Sequence, residues 1–346
     1  MDIGIKSTAT YLPEQVITAK EIAEASGIPT YVVKEKMGII QKPVSSEEDH
    51  TVEMGIRAAK KALEKSDMNA KEIDLIIYIG EEHKEYPLWT AAIKIQEEIG
   101  AHHAWGFDVA LRCGTTIMAL KVAKAMMLQD SEINTVLLAG GYRNDDLIDY
   151  KNERTRFMFN LAAGGGAIIL QKNYSYNRIL QSAMITDGSF SEDVLVPYGG
   201  TKQPLTKEHI DNNLYKLDVM DPPGMKKRLE EKSMQNFLRV IRTSLDKSGY
   251  TEEDIDYIAI LHMKKSAHNY VLAQLGLDEE QSIYLDEYGH IGQFDQILSL
   301  ELAEQQGKLK NGDVVVLVSA GIGYAWGAIT IKWGSDKYDI TKNTFT

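Results

Sequence analysis

Hydrophobic residues fall along this chain in two registers that alternate. Short unbroken apolar runs, such as Ile73-Asp-Leu-Ile-Ile-Tyr-Ile-Gly80, have strand length and suit the centre of a sheet covered on both faces. Between them, apolar residues recur at three- and four-residue steps, the spacing of a helix with one buried face. The pattern predicts strands over residues 2–8, 73–80, 104–109, 135–140 and 164–170, and helices over 18–25, 51–66, 89–99 and 113–128, with a short helix ending at Gly38. In the helix at 51–66, Met54, Ile56, Ala58, Ala59 and Leu63 make a small-residue face. The same grammar then returns. Strands are predicted over 255–262, 282–285, 314–321 and 327–333, with helices over 266–275 and from about 293. The run at 73–80 recurs 182 residues later as Ile255-Asp-Tyr-Ile-Ala-Ile-Leu-His262. This repetition predicts a duplication: two α/β halves, residues 1–172 and 173–346, with parallel-rich sheets and shared inner helices. The polar, Gly/Pro-punctuated link over 187–223 reads as a lid or pocket wall.

Composition narrows the class. Of 346 residues, 44% are hydrophobic and 25% charged, an ordinary globular balance. The formal net charge of −12 argues against a nucleic-acid surface, so an acidic partner needs a local basic patch. One cysteine excludes an intramolecular disulfide, and Met-Asp-Ile-Gly-Ile-Lys carries no signal-peptide pattern. No stretch approaches eighteen consecutive apolar residues. The expectation is a soluble cytoplasmic protein that engages neither membrane nor nucleic acid.

That single cysteine, Cys113, stands where a strand-like run ends and a helix-like run begins. A helix N-terminus favours an anion, and the thiolate is the reactive form of cysteine. Gly114, Thr115 and Thr116 leave room for a substrate. A free cysteine is equally a common buried hydrophobe. The duplication tips the balance, because it sets Cys113 and His290 at corresponding strand-to-helix turns and His262 opposite Gly80, beside Glu81 and Glu82. In open α/β sheets ligands bind at that edge. A Cys–His pair makes or sustains a thiolate, so Cys113, His262 and His290 are the candidate catalytic groups. A metal site of His262, His290 and Asp295 or Cys113 fits no compact ligand spacing, and no metal is expected. Gly321, Gly323 and Gly327, between two predicted strands, are turn residues or expose backbone N–H groups toward an oxyanion.

Taken in order, the pieces Thr10-Tyr-Leu-Pro-Glu14, Met37-Gly-Ile39, Tyr86-Pro87, Asp108 through Cys113 to Leu120, Gly199-Gly-Thr201, His262, Tyr288-Gly289 and Gly321-Ile-Gly-Tyr-Ala-Trp-Gly327 resemble thiolase-fold condensing enzymes, specifically the β-ketoacyl-acyl carrier protein synthase III group. The resemblance implies a thiolase-like α/β fold with a duplicated five-layer α-β-α-β-α arrangement. It implies that Cys113 is acylated by an acyl-CoA or acyl-carrier thioester, without a cofactor, and that His262 and His290 bind the carbonyl of a second, malonyl-type thioester. The oxyanion hole would be the N–H groups of Cys113 and Ile322. Homodimers are implied, with Tyr86 reaching into the partner's acyl pocket, and Gly321 and Gly323 lining the substrate site.

Departures from the pattern keep alternatives open. Position 290 is histidine where asparagine is usual, and Val32 and Lys36 replace the residues that commonly grip CoA, leaving Lys36 as a point charge for a phosphate. Glu82 occupies the place of the general-base glutamate of HMG-CoA synthase, which would allow a non-decarboxylating condensation if its pKa were raised. Transfer to an alcohol or amine and a non-catalytic scaffold are the remaining readings. An acidic carrier protein would dock on Lys264 and Lys265, with Lys226, Lys227 and Arg228 as further candidates.

Overall fold

A computed structural model describes residues 1–335; residues 336–346 of the expected second half lie outside the described residues. The chain runs β1 (Ile3–Tyr11), β2 (Val16–Thr18), α1 (Ala19–Ser26), β3 (Gln41–Pro43), α2 (Thr51–Ser66), β4 (Leu75–Tyr78), α3 (Ala91–Ile99), β5 (Trp105–Asp108), α4 (Thr115–Gln129), β6 (Thr135–Tyr142) and β7 (Gly164–Lys172). It continues with β8 (Tyr176–Thr186), β9 (Val194–Leu195), α5 (Lys207–Asp211), β10 (Asp218–Val219), α6 (Pro222–Ser248), β11 (Tyr257–Ile260), α7 (Lys265–Leu275), α8 (Asp295–Gln305), β12 (Val314–Gly321) and β13 (Ala325–Ser335).

Nine strands join in the order β11-β12-β13-β8-β1-β7-β6-β4-β5. Its middle is a seam where β8 meets β1 at one pairing, Gly4 opposite Arg178. Outward from the seam the two sides run alike, β1-β7-β6-β4 and β8-β13-β12-β11. Only β4–β5, β4–β6 and β11–β12 are parallel, which corrects the expectation of parallel-rich sheets. The reason is connectivity: no crossover helix separates β12 from β13, and strands joined by a tight turn run antiparallel. Residues 282–285 are not a strand either. Ser282 donates to the Ile258 carbonyl and Tyr284 to that of Met263, both through side chains, and among the described residues the second side has no counterpart of β5.

Helices form the other layers. α2 covers β1, β6 and β7, and α6 covers β8, β12 and β13. Between them, α4 touches β6 on one side and β8, β12 and β13 on the other, while α8 touches β1 and β7, and β11 and β12. The order is helix, sheet, helix, sheet, helix; α4 buries the stripe Ile117, Leu120, Ala123 and Met127, while Lys121, Ala125 and Leu128 reach solvent. Among the described residues no helix is long and apolar enough to cross a membrane. Sequence periodicity missed β8, which is half-exposed, and α6, whose first turns are charged; α6 nonetheless has a clear start, with Asp221 accepting from the Gly224 N–H at 3.0 Å and Pro222 in the first turn.

The small-residue face of α2 sets how closely the outer layer approaches the sheet. A Cβ on Gly55 would lie 2.6 Å from Gly140 Cα, and one on Gly140 would lie 2.2 Å from the Gly80 nitrogen. Backbone is the obstacle in both cases, so no rotamer relieves it. Gly140→Ala is expected to destabilise the protein by about 2 kcal/mol or more, read as a lower urea midpoint with an unchanged slope.

Candidate active site

The residue before Cys113 is backbone-strained. Arg112 takes φ +51°, a left-handed conformation unfavourable with a Cβ, and forms a single 3-10 turn with Cys113 and Gly114. That turn delivers Cys113 to the start of α4, one residue before its N-cap, Gly114. The Cys113 carbonyl accepts from Ser319 Oγ at 2.6 Å, which ties the turn to the end of β12. A matching turn, Gly292–Phe294, opens α8, and Thr116 Oγ1 donates to the Gln293 carbonyl at 2.7 Å. The turns correspond at an offset of 180, so Cys113 matches Gln293 and His290 lies just ahead of the second turn. The expected pairing of 113 with 290 is therefore three residues out.

Spatially the two residues nonetheless meet. His290 Nε2 lies 3.1 Å from Cys113 Sγ, and His290 Nδ1 lies 2.6 Å from Asp295 Oδ2. Asp295 is fully buried and also accepts from the His262 N–H at 2.7 Å and the Ile291 N–H at 2.8 Å. Burial opposes charge on His290, but the Asp295 carboxylate and the Cys113 sulfur outweigh it and hold the imidazole well above its usual pKa. Thiol, imidazole and carboxylate thus stand in line, an arrangement suited to nucleophilic chemistry.

His262 is engaged differently. Its Nδ1 accepts from the Asn160 amide at 2.9 Å, and its Nε2–H donates to the Gly38 carbonyl at 2.9 Å, which fixes one neutral tautomer. Burial pushes its pKa down to about 4. The ring therefore meets Gly38 and Asn160 and not the glutamates expected beside it.

A cavity of about 690 Å³ opens over Cys113 and His290, walled by Met37, Met158, Met234, Phe237 and Ile322. Lys36 and Lys264 stand on the same wall, as does Gly38's neighbour Ile39. Lys265 is exposed beside them with its Nζ 5.7 Å from the Tyr284 ring. A Cβ on Gly321 would lie 3.1 Å from the Cys113 nitrogen, so the end of β12 closes on the nucleophile's backbone; Gly323 sits in the following turn. Tyr86 is 64% exposed and outside its own chain's cavity. Glu82 is corrected by the structure. Its side chain is 60% exposed, and the carboxylate on the cavity wall is Glu81, bound to Arg112 at 3.2 Å. Burial raises the Glu81 pKa against the pull of Arg112. Among the described residues no cluster of three or more His, Cys, Asp or Glu is placed to hold a metal ion.

Comparison with known proteins places the sequence and the fold. The family pattern of 3-oxoacyl-[acyl-carrier-protein] synthase III matches residues 107–188, and that of its C-terminal part matches 245–333. The β-ketoacyl-[acyl-carrier-protein] synthase III of Syntrophomonas wolfei is 28% identical, covering 97% of this chain and 99% of that protein. The Clostridioides difficile enzyme of the same name is 26% identical over 95% of this chain and 98% of its own. The synthase III structure from Aquifex aeolicus superposes with a TM-score of 0.81 at 22% identity, covering 96% of this chain and all of the other (100%). OleA of Xanthomonas campestris, solved with bound lauric acid and lauroyl-CoA, gives 0.81 at 19% identity over 96% and 99%. Over nearly its whole length the chain is similar to the synthase III group of thiolase-fold condensing enzymes.

Within this synthase III relative, several site residues carried no local sequence signal. Asn160 reaches His262 across 102 residues of chain, and Glu81 differs from Glu82 only in which way the loop turns. Asp295 did have a signal, since it lies five residues after His290 in a glycine-flanked run that ends at a helix start.

His262 and His268 are both buried neutral, each with a pKa lowered to about 4 by burial. An unfolded histidine titrates near 6.5, so the unfolded chain takes up protons first as pH falls. Their stability contribution is complete above about 6.5 and is lost as pH falls toward 4, by about 2–3 kcal/mol per histidine. Chemical denaturation across this range is expected to show the loss, and His268→Phe is expected to flatten the slope by one proton's worth.

Proposed function

We infer that the protein is a condensing acyltransferase: Cys113 accepts an acyl group from a thioester and passes it to a second, carrier- or CoA-bound malonyl-type thioester with formation of a C–C bond. The observation that carries this is the 3.1 Å contact of Cys113 Sγ with His290 Nε2, backed by Asp295, on the floor of an apolar cavity. His290 takes the Cys113 proton as sulfur attacks the thioester carbonyl, then returns it to the departing thiolate. The acyl group remains on Cys113. Decarboxylation of the second thioester gives an enolate whose carbon attacks that acyl carbonyl, releasing CO₂ and the Cys113 thiolate. Acyl-CoA and acyl-carrier thioesters are substrates and the reaction calls for no cofactor. Lys36 and Lys264 at the cavity wall, with Lys265 beside them, supply positive charge for a phosphate or an acidic carrier.

A second reading is favoured by the engagement of both His262 nitrogens, which leaves His290 as the group free to move a proton. After acylation, His290 Nε2 accepts the proton of an O–H or N–H acceptor as its heteroatom attacks. Cys113 then leaves as thiolate and regains that proton. Intact-protein mass spectrometry with acyl-CoA and acyl-carrier panels is expected to give a mass gain that Cys113→Ala abolishes. Adding malonyl thioester is expected to release CO₂. His290→Asn separates the readings: discharge to a protic acceptor falls about 10²–10⁴-fold, whereas condensation from a preloaded Cys113 stays within about ten-fold.

The same reading includes a homodimer. Strand β5 is the sheet's edge, and on it Trp105 is 51% exposed and stacked on Phe107 at 5.7 Å, with exposed Tyr86 and Leu88 on the loop before α3. An uncovered apolar edge strand is a pairing surface. Sedimentation is expected to give a dimer that Trp105→Glu shifts toward monomer.

A further inference from the structure

Lys42 is the one lysine among the largest fully buried side chains, with no exposed surface at all. It stands in β3, paired with Ile17 of β2, and its neighbour Pro43 accepts a hydrogen bond from the Ala163 N–H at 3.0 Å. Its Nζ donates to the carbonyl of Leu161 and lies 5.6 Å from the Tyr150 ring. No carboxylate is in ion-pair contact with it among the described residues; Asp145 acts on it only through its field. A buried cation without a paired anion is costly, and a core of this density has many apolar substitutes for it.

What Lys42 grips is the segment that holds both histidines. Leu161 bridges to His290, with the His290 N–H donating to the Asn160 carbonyl at 2.8 Å and the Ala162 N–H to the His290 carbonyl at 2.9 Å. Asn160 in turn donates its side-chain amide to His262 Nδ1. From the other side, Gly289 at φ +61° leaves room for the clamp, since a Cβ there would stand 2.9 Å from Lys42 Cβ and 2.6 Å from the Asn160 oxygen. Residues 160–162 thus hold the backbone of His290 and, through the Asn160 side chain, the ring of His262, and one buried lysine arm holds the middle residue.

We propose that Lys42 is a positioning residue whose hold on the Leu161 carbonyl sets the His290 ring against Cys113 and the His262 ring against Asn160. This rests on the reading that Cys113 is the acylated nucleophile. Burial lowers the pKa of Lys42 to about 7, so its proton is less firmly held than that of a surface lysine, but a neutral amine still donates to the carbonyl. The role comes from the geometry of the arm and is shared by any long donor at this place.

The test is the rate at which iodoacetamide alkylates Cys113 in the native protein, compared across Lys42→Met and Lys42→Arg. Alkylation needs no knowledge of the true thioester, so its result stands whether or not the acyl-transfer reading survives. Lys42→Met is expected to slow alkylation about ten-fold and to lower kcat for acyl loading by a similar factor with a smaller change in KM, because Lys42 itself does not line the cavity. Lys42→Arg is expected to restore most of both. Should the methionine variant not be recovered folded, Lys42→Gln, with a shorter neutral donor, is expected to be slowed in the same direction. Wild-type alkylation and loading in Lys42→Met, or in Lys42→Gln where only that variant folds, would overturn the proposal, whatever its melting temperature. A loss in Lys42→Met that Lys42→Arg does not recover would overturn it as well.

Discussion

Asp295 is the constraint on which the site hangs. A carboxylate with no exposure to water is held in place only if its lone pairs are taken up by donors, and here two backbone N–H groups and an imidazole N–H supply them. The same residue opens α8, where the helix dipole favours negative charge. One side chain therefore fixes the start of an inner helix, the backbone of His262 and the ring of His290. Its geometry is dictated by the fold at one end and spent on chemistry at the other.

The two inner helices explain why Cys113 and His290 meet although they come from such distant parts of the sequence. α4 and α8 lie between the two sides of the sheet, and the turns that open them touch through Thr116 and Gln293. The Cys113 sulfur stands at the start of one and the Asp295 carboxylate at the start of the other. Neither repeat contains the reactive set alone. Between the two turns the loop bearing His290 is pinned from below by the Asn160–Leu161–Ala162 backbone, which completes the line from sulfur to carboxylate.

The layering and the place of Cys113 at the start of an inner helix were legible because both are local. A lone cysteine at a switch from strand to helix spacing needs no long-range information, and the repeat of the 73–80 run at 255–262 announces the duplication. Strand direction was not legible, since a short turn or a crossover decides it, and the run at 282–285 reads as a strand although its side chains already satisfy the carbonyls beside it. The choice between Glu81 and Glu82 belongs to the same class. Tyr78 donates to the Glu81 carbonyl at 2.8 Å and the Glu81 N–H to the Gly141 carbonyl at 2.9 Å, and these contacts turn one carboxylate inward and its neighbour out. Asn160 and Lys42 act only through chain more than a hundred residues away, and periodicity carries no trace of them.

The helical turn Val32–Met37 both walls the cavity, through Val32, Lys36 and Met37, and leads directly into Gly38, whose carbonyl holds the His262 ring. That glycine is wedged: a Cβ on it would fall 1.7 Å from the Tyr284 hydroxyl. The rim that greets an arriving thioester and the peptide that orients an imidazole are consequently one stiff piece of backbone. A shift of the rim's backbone is therefore passed to the ring, which couples recognition at the surface to alignment in the interior.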